Sequence, residues 1–352
     1  MTLEALINYR PVRYSHILIE PGESHTLTAD PWAYLYSFLI RAKNRTKGIR
    51  KRNHERAIFY AELADSFYRA AEVSQLPAQA TLLYYGMLNL AKCFLSVRGL
   101  ELETKIEHHG ASLPFNAPPG ITIARRANAS IHILSEFSKE LGGKVTEHET
   151  IQLKEILSNI PELHGLYSGV YTDHSAKFLP VDIKFCTNDF KTTLFAEISY
   201  QKKNEKLIAA GRLLKGNRRD QFTEGVNKDG RVIHKTQKTR RPKNWKNLTK
   251  AYRAYLREFS KYSICSMLTR NGYQYHVNLE DPKYHHLLYS LMAMFYLGSA
   301  ARYRPSMMRE LMDSEMRPLI TEAAALCPRQ FQYHLVSLIT GELCAVPFAA
   351  ID

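Results

Sequence analysis

Hydrophobic residues recur at helical spacing along much of the chain. Between residues 53 and 73 the apolar positions follow an i, i+3, i+4, i+7 pattern, which predicts an amphipathic helix with one buried face. Residues 77–97 and 285–303 are apolar nearly all round, a pattern typical of helices in the centre of a domain. Further helices are predicted near residues 31–44, 130–141, 150–159, 246–268, 306–327 and 329–339. Asp30 is the predicted N-cap of the first of these, because its side chain can accept a hydrogen bond and the following Pro31 has no N–H to satisfy.

Residues 165–240 change character and predict a small sheet. Two segments of this region alternate in polarity or are rich in β-branched and aromatic residues, as strands are: Asp182–Cys186 and Thr192–Ser199. Later in the chain, Asn271-Gly272 followed by Tyr273–Leu279 predicts a further turn and strand. The dipeptide Asp229-Gly230 is a hairpin turn signal within the same region.

These patterns predict a protein that is mainly α with a small β-sheet insertion. We expect an N-terminal helical half over residues 1–164 and a β-rich basic insertion over residues 165–245. A C-terminal helical half over residues 246–352 is expected to pack on the first, so that helices from both ends build the core. A length of 352 residues, 45% of them hydrophobic, is ample for such a core.

Composition excludes several classes of protein. The 21 Tyr and 15 Phe residues supply too much buriable surface for a disordered chain, and 5 Cys residues are too few for a disulfide scaffold. No two Cys lie at metal-ligand spacing and no phosphate-binding glycine motif occurs, so we expect neither a metal nor a cofactor. The start of the chain lacks the apolar core of a signal peptide. The longest apolar run, at 287–301, is shorter than the roughly 20 residues that span a bilayer. We therefore expect a cytoplasmic protein without a transmembrane segment.

The positive charge is concentrated in two segments. The whole chain has 48 Lys+Arg and 34 Asp+Glu residues, a net charge of +14. Residues 41–57 hold a net of +7 and residues 201–260 a net of +13, which leaves −6 for the rest of the chain. A localised basic surface on a mildly acidic body is typical of proteins that bind polyanions.

The basic side chains of these two segments are the predicted nucleic-acid contacts. The first cluster consists of Arg41, Lys43, Arg45, Lys47, Arg50, Lys51, Arg52 and Arg56. The second has its peak at Lys235, Lys238, Arg240, Arg241, Lys243 and Lys246. Trp245, Tyr252 and Tyr255 follow this peak and could stack on exposed bases. The alternatives are a solvated loop whose tyrosines pack on the core, or contact with an acidic membrane or protein surface.

A row of polar residues lies on the apolar helix at 77–97. Tyr85, Asn89 and Lys92 are spaced i, i+4 and i+7, so they share one face. Because Asn and Lys side chains are costly to bury without partners, this row predicts a polar pocket in the helical core. Alternatively, Asn89 satisfies a backbone group and the Lys92 ammonium extends to the surface.

Two further elements carry candidate chemistry. Arg302 and Arg304 close the second apolar helix, where they either compensate the helix dipole or form an anion-binding corner. The loop His108-His109-Gly110 could complete that corner. The candidate catalytic residues are therefore Asn89, Lys92, His109 and Arg302.

The segment Ala80–Lys92, with the sequence ATLLYYGMLNLAK, resembles the YaaC-like family of bacterial proteins. The segment His285–Pro305, which ends in RYRP, is similar to the second landmark of that family, and the strand before it also fits. The resemblance covers about residues 30–340 and implies a helical, cytoplasmic, bacterial protein. It implies no activity, so Asn89, Lys92, Arg302 and Arg304 are landmarks only.

The leading hypothesis is a nucleic-acid-binding protein that uses the localised basic surface in a bacterial defence setting. One alternative is a nuclease or toxin-like effector with a polar pocket in the helical core. Another is a helical scaffold that docks a partner protein or a second copy of the chain. Nothing in the residues distinguishes DNA from RNA.

Overall fold

The protein folds into two compact units. A computed structural model describes residues 2–7, 9–17, 26–114, 118–125, 130–171, 177–188, 193–207, 222–226, 230–237, 239–241, 248–259 and 262–347. The helical unit consists of residues 28–174 and 283–340, and the sheet unit consists of residues 1–27, 175–282 and 341–352.

The helices lie mainly in the helical unit, and α7 belongs to the sheet unit. They are α1 (Pro31–Asn44), α2 (Gly48–Glu72), α3 (Ala78–Val97), α4 (Ile133–Glu140), α5 (Leu153–Ser158), α6 (His164–Val170), α7 (Leu248–Phe259), α8 (His286–Tyr303), α9 (Pro305–Met312) and α10 (Arg317–Thr340). Short 3-10 helices occur at Pro161–Leu163 and Lys202–Leu207.

The strands form one large sheet and several small ones. They are β1 (Thr2–Glu4), β2 (Leu6–Ile7), β3 (Arg10–Pro11), β4 (Thr26–Leu27), β5 (Ile106–His108), β6 (Ala111–Ser112), β7 (Gly120–Ile123), β8 (Ser130–His132), β9 (Thr150–Gln152), β10 (Phe178–Asn188), β11 (Leu194–Gln201), β12 (Phe222–Val226), β13 (Arg231–Thr236), β14 (Ile264–Thr269), β15 (Gly272–Asn278) and β16 (Cys344–Ala345).

The prediction of a mainly α protein with a small sheet insertion is wrong. Of the residues that the structure describes, 52% are helical and 24% lie in strands, so the protein is a mixed α and β protein. Seven strands form one antiparallel sheet in the order β12-β13-β11-β10-β15-β14, and β1 also pairs with β10. The segment predicted as the end of a helix at 264–268 is β14 instead. It pairs with β15 from Ile264 opposite Val277 to Thr269 opposite Gly272, and this hairpin pairing within the sheet overrides the helical pattern of the segment.

Helix boundaries show where local signals hold and where packing decides. As predicted, Asp30 caps α1, because its Oδ1 accepts hydrogen bonds from the backbone N–H groups of Trp32 at 3.0 Å and Ala33 at 3.3 Å. The break predicted between residues 327 and 329 is absent, and α10 continues through Pro328. Pro328 is buried, and its carbonyl accepts a hydrogen bond of 2.9 Å from the Tyr68 hydroxyl, so packing holds the helix together there.

Two glycines allow α3 to pack closely between α2 and α8. A Cβ on Gly86 of α3 would lie 2.6 Å from Cδ2 of Tyr68 on α2. A Cβ on Gly298 of α8 would lie 3.0 Å from Cβ of Tyr84 and 3.1 Å from the carbonyl oxygen of Ala80, both on α3. By length and composition α3 could cross a membrane, but most of it is buried inside the structure, as in the core helix of a soluble protein.

The large sheet packs one face against α7. Tyr252, Tyr255 and Phe259 of α7 surround Phe185 of β10, with ring centroids 5.1, 5.7 and 6.4 Å away. Tyr252 and Tyr255 are each 1% exposed. The prediction that these two tyrosines stack on bases is therefore wrong, and the alternative that they pack on the core is confirmed. Trp245 lies outside the described residues.

We expect Gly298→Ala to lower the free energy of unfolding by about 1–3 kcal/mol, because the new methyl group must displace the α3 backbone. Urea unfolding followed by circular dichroism measures the change. Gly165→Ala in α6 is the matched control, since a Cβ there meets no atom within 4 Å. Equal losses in the two variants would contradict the close-packing argument.

The N-terminus of α8 is capped by a neutral histidine. His285 Nδ1 accepts a hydrogen bond of 3.2 Å from the Leu287 N–H. Burial, with a smaller contribution from the charge of His334, lowers the pKa of His285 from 6.5 to about 4. Protonation would remove the acceptor and place a positive charge at the positive end of the helix dipole.

Acidification is therefore expected to destabilise the protein as the pH falls from 6.5 to about 4. In this window the unfolded chain binds a proton at His285 and the folded chain does not, so the unfolded state gains stability. The shift corresponds to on the order of 3 kcal/mol. His285→Asn keeps a capping side chain without the titration. Urea midpoints at several pH values should show a weaker pH dependence for this variant than for the wild type, and identical profiles would contradict the assignment.

Candidate functional site

The first basic cluster lies at the turn between α1 and α2, which we call the basic tip (residues 41–52). It carries Arg41, Lys43, Arg45, Lys47, Arg50, Lys51 and Arg52. All of these except the half-buried Lys43 are exposed. Within the described ranges, none of the seven forms a salt bridge. The tip therefore presents concentrated positive charge to solvent.

Helix dipoles shape the potential at the basic tip. α2 begins here, its N-cap residue Lys47 makes no capping hydrogen bond through its side chain, and its first turn contains no acidic residue. The partial positive charge of the α2 N-terminus thus adds to the charge of the side chains. Arg41 and Lys43 lie in the last turn of α1, where they compensate the negative end of that helix.

Arg56, the last member of the first cluster, is engaged within the helical unit. Its Nη1 donates to Asn53 Oδ1 at 3.2 Å, and its Nε lies 3.9 Å from a carboxylate oxygen of Glu103. Arg56 therefore belongs to a structural network and less to the exposed tip.

The described members of the second cluster differ from those of the tip, because two of them face carboxylates. Lys235 Nζ lies 3.2 Å from Glu197 Oε1, and Arg240 Nη2 lies 3.2 Å from Glu258 Oε2. Arg241 is exposed. The other three predicted contacts are outside the described residues: Lys238, Lys243 and Lys246.

The polar row on α3 meets three different environments. Asn89 is 7% exposed, and its amide donates 2.8 Å to the backbone carbonyl of Tyr85, so it satisfies a backbone group within its own helix. Lys92 Nζ forms a salt bridge of 2.7 Å with Glu107 and lies 5.2 Å from the ring centroid of Tyr60. The Tyr85 ring stacks on Phe67 of α2 with centroids 5.5 Å apart.

The end of α8 brings Arg302 onto the exposed side of Tyr85. The guanidinium carbon of Arg302 lies 4.8 Å from the ring centroids of both Tyr85 and Tyr303. Its Nε donates 3.0 Å to the carbonyl of Gly298, and its Nη1 donates to the Tyr85 hydroxyl. Arg304, by contrast, donates to the Pro114 carbonyl at 2.7 Å and ties down a loop.

His109 completes this group of side chains. Its Nδ1 lies 2.5 Å from the hydroxyl of Tyr84, and its ring centroid lies 6.4 Å from that of Tyr85. The residue is exposed, but its ring packs on these tyrosines. Burial of the ring, together with the charges of Arg302 and Lys92, lowers the pKa of His109 below 6.5. His109 is therefore a neutral imidazole beside two cations near pH 7.

We call Tyr84, Tyr85, His109, Arg302 and Tyr303 the Tyr85 cluster. Of the four candidate catalytic residues, the structure brings His109 and Arg302 into this cluster and places Lys92 beside it. It leaves Asn89 within α3. Sequence reasoning did not assign roles to Tyr84, Tyr303 or Glu107. The adjacent tyrosines of the YYG segment were a signal for this cluster. Neighbouring positions on a helix face different directions, so the two rings must have different environments.

The sequence model of the YaaC-like Protein family matches residues 25–339 of the chain. The protein belongs to the YaaC-like family. The match spans the whole helical unit apart from one terminal residue, so the Tyr85 cluster of this YaaC-like protein lies entirely inside the matched region. The resemblance inferred from the α3 and α8 segments is thus confirmed. A search of curated proteins and a search of solved structures find no match to the chain.

The sheet unit of the YaaC-like protein contains a separate cleft of about 770 Å³. Val181 of β10 pairs with Tyr275 of β15, whereas the carbonyl of Ile183 accepts a hydrogen bond of 3.1 Å from the Tyr14 N–H. β10 therefore changes its pairing partner at Asp182, and Asp182 lines the cleft. Polar residues of its lining include Arg13, Gln201, Lys203, Arg231, Gln274 and His276.

Lys92 and Glu107 offer a direct test of the site's electrostatics, because both side chains are less than 20% exposed. We expect a double-mutant cycle with Lys92→Met and Glu107→Gln to give a coupling free energy of about 1 kcal/mol, above that of an exposed pair. Urea unfolding of the four proteins measures it. The exposed pair Arg309–Asp313, at 3.9 Å, is the control and should give a smaller coupling. Equal coupling free energies for the two pairs would contradict the expectation that burial strengthens the Lys92–Glu107 salt bridge.

Proposed function

We propose that this YaaC-like protein is a cytoplasmic nucleic-acid-binding protein that contacts the phosphate backbone through its basic tip. The observation that carries the proposal is the set of seven cations at the α1–α2 turn, six of them exposed, which form no salt bridge within the described residues. Phosphates of a nucleic acid are natural partners for such a set, because neutralising them releases counterions.

The distribution of charge on the tip supports a nucleic acid as its partner. Cations lie on both helix ends and on the turn between them, so the positive charge surrounds one exposed turn. A helix is about 10–12 Å wide, close to the roughly 12 Å of the DNA major groove. The N-terminus of α2 adds backbone N–H groups that favour a phosphate.

The second basic cluster contributes less to this proposal than the first. Lys235 and Arg240 already form salt bridges with carboxylates, so each would have to break its salt bridge before it could bind a phosphate. The basic tip is therefore the surface on which a test should concentrate.

Charge reversal at the tip is expected to weaken binding and flatten its salt dependence. The variant carries Lys47→Glu, Arg50→Glu and Lys51→Glu, all at exposed positions at the start of α2. Acidic residues are favourable in the first helical turn, so the fold should be retained. Fluorescence anisotropy with duplex DNA, duplex RNA and single-stranded RNA at several salt concentrations measures the affinity. Each lost contact should reduce the salt slope on duplex DNA by about 0.9.

The matched control reverses three other exposed cations of the helical unit, Lys144, Arg317 and Arg329, to Glu. It has the same net charge as the test variant, so it separates a local contact from a general charge effect. Equal loss in both variants, or binding that does not depend on salt, would overturn the proposal. Binding of the wild type to vesicles of anionic lipid but to no nucleic acid would assign the tip to a membrane surface instead.

A further inference from the structure

The groups that the Tyr85 cluster turns outward are hydrogen-bond donors. Tyr84 is 2% exposed, and the His109 Nδ1 is the one partner found for its hydroxyl among the described residues. A buried hydroxyl proton without an acceptor is costly, so Tyr84 donates and Nδ1 accepts. A neutral imidazole that accepts at Nδ1 carries its proton at Nε2. His109 thus carries its N–H group on the ring nitrogen that does not contact Tyr84.

Arg302 and Tyr85 supply further donors beside this N–H group. Of the five N–H groups of Arg302, Nε uses one on Gly298 and Nη1 uses one on the Tyr85 hydroxyl. Within the described part of the chain, no residue accepts a hydrogen bond from Nη2 of Arg302. Since the Tyr85 hydroxyl accepts from Arg302, its own proton is available for another acceptor.

Packing fixes these donors in place before any ligand arrives. The Arg302 guanidinium lies against two aromatic rings and is tied to the α8 backbone, and Tyr84 orients the His109 ring. Lys92 adds positive charge nearby, although its own ammonium is paired with Glu107. Neighbouring, pre-oriented donors with net positive charge are complementary to an oxyanion and are unfavourable toward a cation.

We propose that the Tyr85 cluster is a binding site for the phosphate group of a nucleotide, with Arg302, His109 and the Tyr85 hydroxyl as its donors. Arginine suits this task because its planar fork can contact two phosphate oxygens at once.

An exposed aromatic ring next to these donors points to the base that accompanies the phosphate. Tyr303 is 70% exposed, and one face of its ring lies against Arg302. Its other face is open for a planar heterocycle, and stacking of a base on an aromatic side chain is worth about 1–3 kcal/mol. The site therefore fits a nucleoside phosphate better than an inorganic anion.

The same chemistry could come from a free nucleotide or from the strand of a bound nucleic acid. Only the second source rests on the proposed function, since it requires a strand held at the basic tip. Testing the cluster with a mononucleotide keeps the two proposals independent, because a mononucleotide does not need the tip.

The experiment is a titration of histidine-labelled protein with AMP, followed by ¹H–¹⁵N NMR of the imidazole nitrogens. Before titration, the His109 signals should show the proton at Nε2. AMP should shift the Nε2 signal of His109 and raise its pKa, because a phosphate nearby stabilises the imidazolium. Inorganic phosphate should have a weaker effect than AMP, and adenosine should have little.

Variants separate binding from structural damage. Arg302→Gln should lower the affinity for AMP at least about tenfold, since it removes a charge-assisted contact. His109→Ala, at an exposed position, should also lower it, whereas His108→Ala, at the neighbouring exposed histidine, should not. Tyr303→Leu should reduce the preference for AMP over inorganic phosphate.

Several outcomes would overturn the proposal. They are equal affinities for AMP and adenosine, equal losses in His109→Ala and His108→Ala, or a His109 signal that AMP does not move. If AMP binds as expected while the charge-reversed tip leaves RNA binding unchanged, the site stands and the proposed function falls. Arg302→Gln is also tested for RNA binding. If RNA binds through the tip and Arg302→Gln binds RNA with the affinity of the wild type, a bound strand is not the source of the phosphate.

Discussion

The close approach of α3 and α8 at Gly298 is the constraint on which the helical unit depends. With no side chain at this position, the backbone of α8 lies directly against Ala80 and Tyr84. The Thr81 hydroxyl also donates to the Gly298 carbonyl at 3.2 Å, so a polar contact is made at the point of tightest packing. A similar approach at Gly86 brings α2 onto the other side of α3. Together the two glycines fix three helices at short range.

The Tyr85 cluster is a consequence of that approach. Arg302 lies one turn after Gly298, and its Nε bonds to the same carbonyl that receives Thr81. The position of the guanidinium is therefore set by the crossing of α3 and α8, and Tyr85 lies one turn from the contact on the facing helix. The packing of the core thus sets the geometry of the surface cluster.

Some of the site was predictable from the residues, and some was not. The spacing of Tyr85, Asn89 and Lys92 indicated a polar face on α3, but spacing alone could not show that Asn89 turns back to its own helix while Lys92 reaches Glu107. Spacing leaves more than one partner open for each of these side chains, and the folded structure determines which partner each one has. The position of Tyr252 and Tyr255 beside a basic segment was compatible with base stacking and with core packing. In the structure both rings pack on Phe185 of the large sheet, where they help to cover its apolar face.

The sequence by itself determined the amphipathic and apolar helices, the cap at Asp30, the family, and the concentration of charge at residues 41–52, because these follow from local spacing and composition. Only the tertiary structure decided the extent of the sheet. Strand pairing joins segments as distant as β1 and β10, and no local pattern records it. The meeting of His109, Arg302 and Tyr85 likewise depends on three segments brought together by helix packing. Side-chain convergence is a property of the fold, and spacing along the chain constrains it only within one helix.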